Sequence, residues 1–275
     1  MRKKNLPDKI AENIDTARYE YEIKYSEYAG HAKILAEEAV AEQFDIVVAA
    51  GGDGSINEIG VPLIGTDVAL GIIPCGSGNG FSHHVDLPMD AVKAIQVINQ
   101  GQKHKVDTVT VNGIPFISIA GTGFDAKIAD DYAKDPRRGF DTYFKYIVRN
   151  YVTYREQNYT IIMPEQTIET KALFISFANS DEQGYNIPIS PHASLQDGKV
   201  DLCVVRKPNP LELPIVGGYM LDKMMDKAPK VDIYQTSEAK IIREKADVIN
   251  IDGESIMTGK DLEIKVKPLS LNIIA

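Results

Sequence analysis

Two periodicities alternate along the first hundred residues. Residues 6–18 place apolar side chains at helical spacing, with Pro7 at the start, where a missing N–H costs nothing. Residues 19–26, YEYEIKYS, alternate with period two and predict a strand. Residues 30–43, rich in Ala and Glu, predict a helix. The runs FDIVVAA (44–50) and VALGIIP (68–74) are apolar on both faces, as buried parallel strands are. Each hands over to a glycine-rich loop. Helices are predicted from about residue 55 and over residues 89–101, the second closed by Gly101. Strand and helix in alternation predict a parallel sheet with helices on both faces.

Near residue 106 the texture changes. VDTVTVNGIPFISIAG predicts two strands joined through Asn112-Gly113, a strong hairpin signal. A helical patch covers residues 123–154. Short strands follow in NYTIIMP, ETKALFISFAN, GKVDLCVV, KVDIYQT, AKIIRE, DVINIDGE, LEIKVKP and LSLNII, interrupted by one helix over residues 211–227. The expected fold is an α/β nucleotide-binding domain over residues 1–105, followed by a mostly antiparallel β-sandwich over residues 106–275.

Composition narrows the function classes. With 275 residues, 44% hydrophobic and 25% charged, the chain has the make-up of an ordinary globular protein. No apolar run approaches the roughly 20 residues of a membrane-spanning helix. The N-terminus is basic but has no apolar stretch behind it, so no secretory signal is expected. A net charge of −9 argues against nucleic acid as a partner, and any contact with anionic membrane would be local. Cys75 and Cys203 lack metal-like spacing and favour a reducing compartment, with the cytoplasm as the default. A homodimer remains open.

The chemistry concentrates in two loops. Gly51-Gly52-Asp53-Gly54-Ser55 sits where a buried strand meets a helix, so backbone N–H groups and the helix N-terminus can receive phosphate. Asp53 would repel phosphate unless it holds a divalent metal or accepts a proton. The bland reading is a tight turn whose acid caps the helix. Cys75-Gly76-Ser77-Gly78-Asn79-Gly80 follows the next buried strand, and two such loops would line one crevice. Asp252-Gly253-Glu254 and Gln196-Asp197-Gly198 read locally as turns. His83, His84 and His192 read as ordinary surface or turn histidines.

These residues carry a resemblance. GGDGSINEIG followed by PCGSGNGFSHH resembles the diacylglycerol kinase catalytic-domain family, which includes sphingosine kinases and bacterial lipid kinases. Ser26 with Gly30-His31-Ala32, the segment ISIAGTGFDAKIA (117–129), LQDGKVDL (195–202) and INIDGES (249–255) extend the likeness in the family's order. The resemblance implies ATP in a cleft between the two domains and a lipid hydroxyl as acceptor. It implies that Gly51, Gly52, Asp53, Gly54, Ser55, Asn57 and Glu58 form an ATP·Mg²⁺ loop. Gly76, Ser77 and Asn79 would flank the nucleotide, and Ser26 would lend a hydroxyl. Asp252 and Glu254 would enter from the second domain, with Glu254 the preferred general base and Asp53 its competitor. Asp53 would hold Mg²⁺, and Asp197 would sit at a structural Mg²⁺ site.

Two departures stand out. The family's opening strand and its NPxSG loop are not visible, so the expectation is a first domain without that strand. Ser77 and Gly80 replace the threonine and acid of many members. On the helical patch, Tyr143, Phe144, Ile147, Tyr151 and Tyr154 fall along one stripe, with Lys145, Arg149 and Arg155 elsewhere and Arg137 and Arg138 just before it. That stripe either packs on the sandwich or meets a membrane surface to reach a lipid. NAD kinase and 6-phosphofructokinase share the GGDG element and are the runner-up kinases. From another class, the alternative is a non-catalytic nucleotide-binding protein.

Overall fold

Each glycine loop is fixed at the end of a strand that has no polar face. The structure, a computed structural model, describes residues 5–135, 137, 140–182 and 188–275. In the first half the order is α1 (Leu6–Asn13), α2 (His31–Ala41), β1 (Ile46–Gly51), α3 (Asp53–Gly60), β2 (Ala69–Pro74), α4 (Gly80–His84) and α5 (Ala91–Gln100). β1 and β2 run parallel, in register from Ile46 opposite Ala69 to Gly51 opposite Pro74. Every residue of β2 is buried, which is why its sequence shows no alternation. Asp90 caps α5 by accepting from the N–H groups of Val92 and Lys93, and Gly101 closes it at φ 64°.

The strand expected over residues 19–26 does not form. The segment lies outside every β-ladder, and among the described residues β1 pairs with β2 alone. A groove of about 300 Å³, lined by Tyr19, Tyr21, Ile46 and Val48, separates the segment from β1. Its alternation is genuine, but a strand needs a partner within hydrogen-bonding reach.

The second half adds β3 (Lys103–Val111), β4 (Ile114–Phe116), β5 (Ile119–Gly123), α6 (Phe124–Ala133), α7 (Phe140–Tyr151), β6 (Gln157–Ile162), β7 (Thr167–Ala172), β8 (Phe174–Ala178) and β9 (Val200–Val205). It ends with α8 (Leu213–Leu221), β10 (Val231–Thr236), β11 (Glu238–Arg243), β12 (Asp247–Ile251), β13 (Glu254–Thr258) and β14 (Asp261–Ile274). One sheet has the order β1-β2-β14-β11-β6-β7, with β3 and β4 attached through β14. The other runs β10-β9-β8-β5-β12-β13. Their facing sides bury Val109, Phe116, Ile175, Phe177, Leu202, Ile241 and Leu262 in one core. Each such side chain stabilises the fold by about 1.5–3 kcal/mol. The chain thus has an N-terminal α/β part with parallel strands and an antiparallel sandwich after it.

Two run-on readings of the strands change. The run ETKALFISFAN breaks at Leu173, where the chain leaves one sheet (β7) and enters the other (β8). LEIKVKP and LSLNII are instead one strand, β14. Its register shifts between Lys267 and Leu271, and Leu269 takes a φ of 46°. This bend lets β14 pair antiparallel with β11 and β3, and then parallel with β2 through Asn272 and Ile273. The C-terminal strand therefore ties both halves into one sheet and fixes the loops after β1 and β2 relative to the sandwich.

The helical patch is two helices. Tyr143, Tyr146, Ile147, Tyr151 and Tyr154 pack with Phe124, Ile128 and Leu173. Phe144 does not belong to that face. It stands 52% exposed, with Val148 and Val152 following at successive turns and exposed to 54% and 81%. Arg138 and Gly139 lie outside the described residues.

Candidate active site

The two glycine loops touch backbone to backbone. A Cβ on Gly76 would lie 2.5 Å from Gly52 Cα, and one on Gly51 would lie 2.3 Å from Ser55 Oγ. Only glycine allows this approach. The Cys75 N–H donates to the Gly51 carbonyl (2.8 Å), and the Asp53 carboxylate accepts from the Phe81 N–H (3.0 Å), which clamps the second loop to the first. Asn79 takes the left-handed conformation at φ 53° and folds its amide into its own loop. There Oδ1 accepts from Gly76 N–H (2.9 Å), and Nδ2 donates to Gly76 O (3.1 Å). Asp53 begins α3, so its carboxylate lies at the positive end of that helix.

The opposite wall comes from the second sheet. Asp252 and Gly253 both have positive φ (46° and 95°) and turn β12 into β13. The predicted turn is real, and it also carries the late acids into the cleft. Asp252 is buried and accepts from the N–H groups of Ile117 (2.8 Å), Ser118 (3.0 Å) and Ile119 (2.8 Å). Asn57 of α3 supplies a fourth donor through Nδ2, at 2.6 Å. Burial pushes the Asp252 carboxyl upward, while these four donors pull the other way. Its lone pairs are therefore engaged, and it joins the two halves across the cleft. Glu254, the first residue of β13, is exposed and lines the cleft.

Together these elements enclose a cleft of about 560 Å³. Gly52, Asp53, Gly54, Ser55, Gly76 and Ser77 line one side, and Ser118, Glu182, Asp252 and Glu254 the other. Tyr132 and Tyr143, stacked edge to face at 5.5 Å between ring centroids, close one end. The structure thus brings together most of the residues singled out in the sequence. Gly51 and Asn57 support the cleft from behind without lining it. Glu58 and Ser26 border the separate groove beside β1 instead. Asp197 is exposed and accepts from the Lys199 N–H (2.9 Å). Among the described residues there is no group of three His, Cys, Asp or Glu side chains able to hold a metal by themselves.

Several residues escaped the sequence reading. Asp107 is fully buried and accepts from Gly198 N–H and Leu269 N–H, both at 2.7 Å, which pins the Asp197 turn and the bend of β14. A lone acid inside the apolar strand pattern VDTVTV was the available signal. Asp125, also buried, meets Tyr143 and Asn250, and Asn250 in turn accepts from Gly253 N–H and braces the turn before Glu254. His84 bonds Asp181 (2.6 Å), so one predicted turn histidine ties α4 to the sandwich. No spacing in the sequence announces contacts this far apart.

Comparison with known proteins finds two family-model matches. Residues 1–111 match the family model described as diacylglycerol kinase catalytic domain. Residues 118–275 match the one described as YegS C-terminal NAD kinase beta sandwich-like domain. The chain is 29% identical over 258 residues to proteins named diacylglycerol kinase from Staphylococcus aureus strains bovine RF122 / ET3-1 and JH9. These alignments cover 92% of this chain and 81% of the relatives. A solved structure of a diacylglycerol kinase from Bacillus anthracis str. Sterne superposes with a TM-score of 0.76 at 20% identity, covering 99% of this chain and 92% of that one, a likeness of fold.

Proposed function

We infer the reaction from one premise: the chain belongs to the diacylglycerol kinase catalytic-domain family and is an enzyme of the lipid kinase type. The reading is transfer of the γ-phosphate of ATP to the hydroxyl of a lipid, of diacylglycerol or sphingoid type, met at a membrane surface from the cytoplasmic side. The observation that carries it is the single cleft in which two apposed glycine loops face Glu254 across the Asn57–Asp252 bond.

The geometry supports the following roles. Backbone N–H groups at Gly52–Ser55 and the N-terminus of α3 bind and orient the phosphates. Glu254 accepts the proton of the acceptor hydroxyl as its oxygen attacks the γ-phosphorus and ADP leaves. Asp53 is the alternative base, but one of its oxygens is engaged by Phe81 N–H. Its place in the phosphate loop suits a metal better, because Mg²⁺ is usually held by one or two carboxylates together with substrate phosphates. When bound there, Mg²⁺ would neutralise charge on the transferring group. Asp197 is exposed, and no group of three His, Cys, Asp or Glu side chains able to hold a metal forms around it among the described residues.

Access for a lipid is supported by the outer face of α7. Phe144, Val148 and Val152 form an apolar stripe, and Tyr143 of the same helix reaches the cleft. Tyr151 OH donates to the Pro208 carbonyl, and the nearby α8 segment exposes Leu211 (86%), Ile215 (54%) and Leu221 (86%). No described helix is long and apolar enough to cross a membrane, so contact would be peripheral.

The test is phosphorylation by the full chain with γ-labelled ATP, offering diacylglycerol, a sphingoid base, NAD and fructose 6-phosphate in parallel. Label in the lipid phase is expected. Label in NAD or the sugar phosphate alone would replace the lipid reading, and nucleotide binding without transfer to any acceptor would favour a regulatory protein.

A further inference from the structure

One buried carboxylate in the cleft is only half used. Glu182 is 2% exposed and lines the cleft. Its Oε1 is paired with Lys223 Nζ at 2.7 Å, while Oε2 is buried and has no hydrogen-bond partner among the described residues. A buried charged acceptor left unpaired is costly, and native structures rarely keep one without a use.

Its position is not accidental. Ser180, two residues earlier, bonds Ser118 through their hydroxyls (2.6 Å), and Ser118 N–H is one of the donors held by Asp252. Asp181 is tied to His84 of α4. Glu182 is thus anchored from both halves, on the same wall as the turn that presents Glu254. Glu182 and Glu254 line the same cleft.

Resting on the lipid kinase reading above, we propose that Glu182 is a specificity-determining residue. Its free carboxylate oxygen receives a hydrogen bond from a second donor, O–H or N–H, next to the phosphorylated hydroxyl. The favoured acceptors are then lipids with a vicinal diol or amino-alcohol head, and a head acylated at that position is disfavoured. A site with a buried polar group matched to a substrate donor rejects the analogue lacking it, because the group is left unpaired.

The experiment measures kcat/KM of the full chain with ATP for a monoacylglycerol, a sphingoid base and a 1,2-diacylglycerol in the same mixed micelles. The donor-bearing acceptors are expected to exceed diacylglycerol by about ten- to hundred-fold, the worth of one hydrogen bond to a charged group. Glu182→Gln should shrink that ratio toward one while leaving KM for ATP unchanged. Lys223→Gln, which keeps the carboxylate, should retain the ratio. A merely structural role would lower all acceptors alike. Transfer by the wild type without this preference, or a ratio unmoved in Glu182→Gln, overturns the proposal and spares the kinase reading. Should Glu182→Gln fail to fold, the wild-type ratio alone decides. Absence of transfer to every lipid overturns both.

Discussion

Replacing Gly76 by alanine adds a methyl group 2.5 Å from Gly52 Cα, 2.7 Å from Asn79 Oδ1 and 3.2 Å from Gly52 N. Carbon atoms pack at about 3.5–4.0 Å, so the two loops must part by roughly 1 Å. The obstacle is backbone, pinned by the Cys75–Gly51 and Phe81–Asp53 bonds, and no side-chain rotation relieves it. Gly76 has no positive φ, so the cost is steric alone. Forced overpacking of this kind costs about 1–3 kcal/mol. A 1 Å displacement of a positioning group lowers turnover by about 10²-fold. Gly217→Ala in α8 is the control. Nothing lies within 4 Å of its added Cβ, and the helix should gain about 0.5–1 kcal/mol. Urea unfolding gives the two stabilities, and ATP-dependent transfer gives the activity. Wild-type stability and turnover in Gly76→Ala would refute the close approach on which the nucleotide cleft rests.

Three further outcomes are expected. Asn57→Ala removes one of four donors to buried Asp252 and should lower stability by about 1–3 kcal/mol in a denaturant titration, with a matching loss of turnover. Burial raises the Tyr154 phenol from 10.0 to about 12. A raised folded-state value means its stabilising effect is complete below pH 10 and is lost as pH rises toward 12, so Tyr154→Phe should flatten that limb of the stability profile. Val152→Asp, at a residue 81% exposed, should weaken sedimentation with anionic vesicles severalfold and leave transfer from ATP to a detergent-solubilised lipid unchanged. Equal sedimentation of the two proteins would move the membrane contact elsewhere.

What was legible in the sequence was what local chemistry repeats. The two buried parallel strands, their glycine loops and the Asn112-Gly113 turn each declare themselves within a few residues. The Asp252-Gly253-Glu254 turn was legible as a turn but acquires its meaning from Asn57, 195 positions away. Period alone misled at residues 19–26, because alternation describes one strand and pairing needs two. It also grouped Phe144 in one stripe with Tyr143, Ile147, Tyr151 and Tyr154, whereas the contacts with Phe124 and Leu173 take Tyr146 instead. Glu182 was invisible for the same reason, and a lone acid inside VDTVTV was the one trace of Asp107. An isolated acid reads as surface until the fold buries it.

The most direct test of the account is Glu254→Gln, compared with Asp53→Asn, in single-turnover transfer from ATP to lipid. Glu254→Gln should lower the transfer rate by about 10²–10⁴-fold while nucleotide affinity stays within about twofold, since only proton removal is lost. Asp53→Asn should weaken the response to both ATP and Mg²⁺. Wild-type transfer by Glu254→Gln would contradict the assignment of the base, and with it the central role given to the late turn.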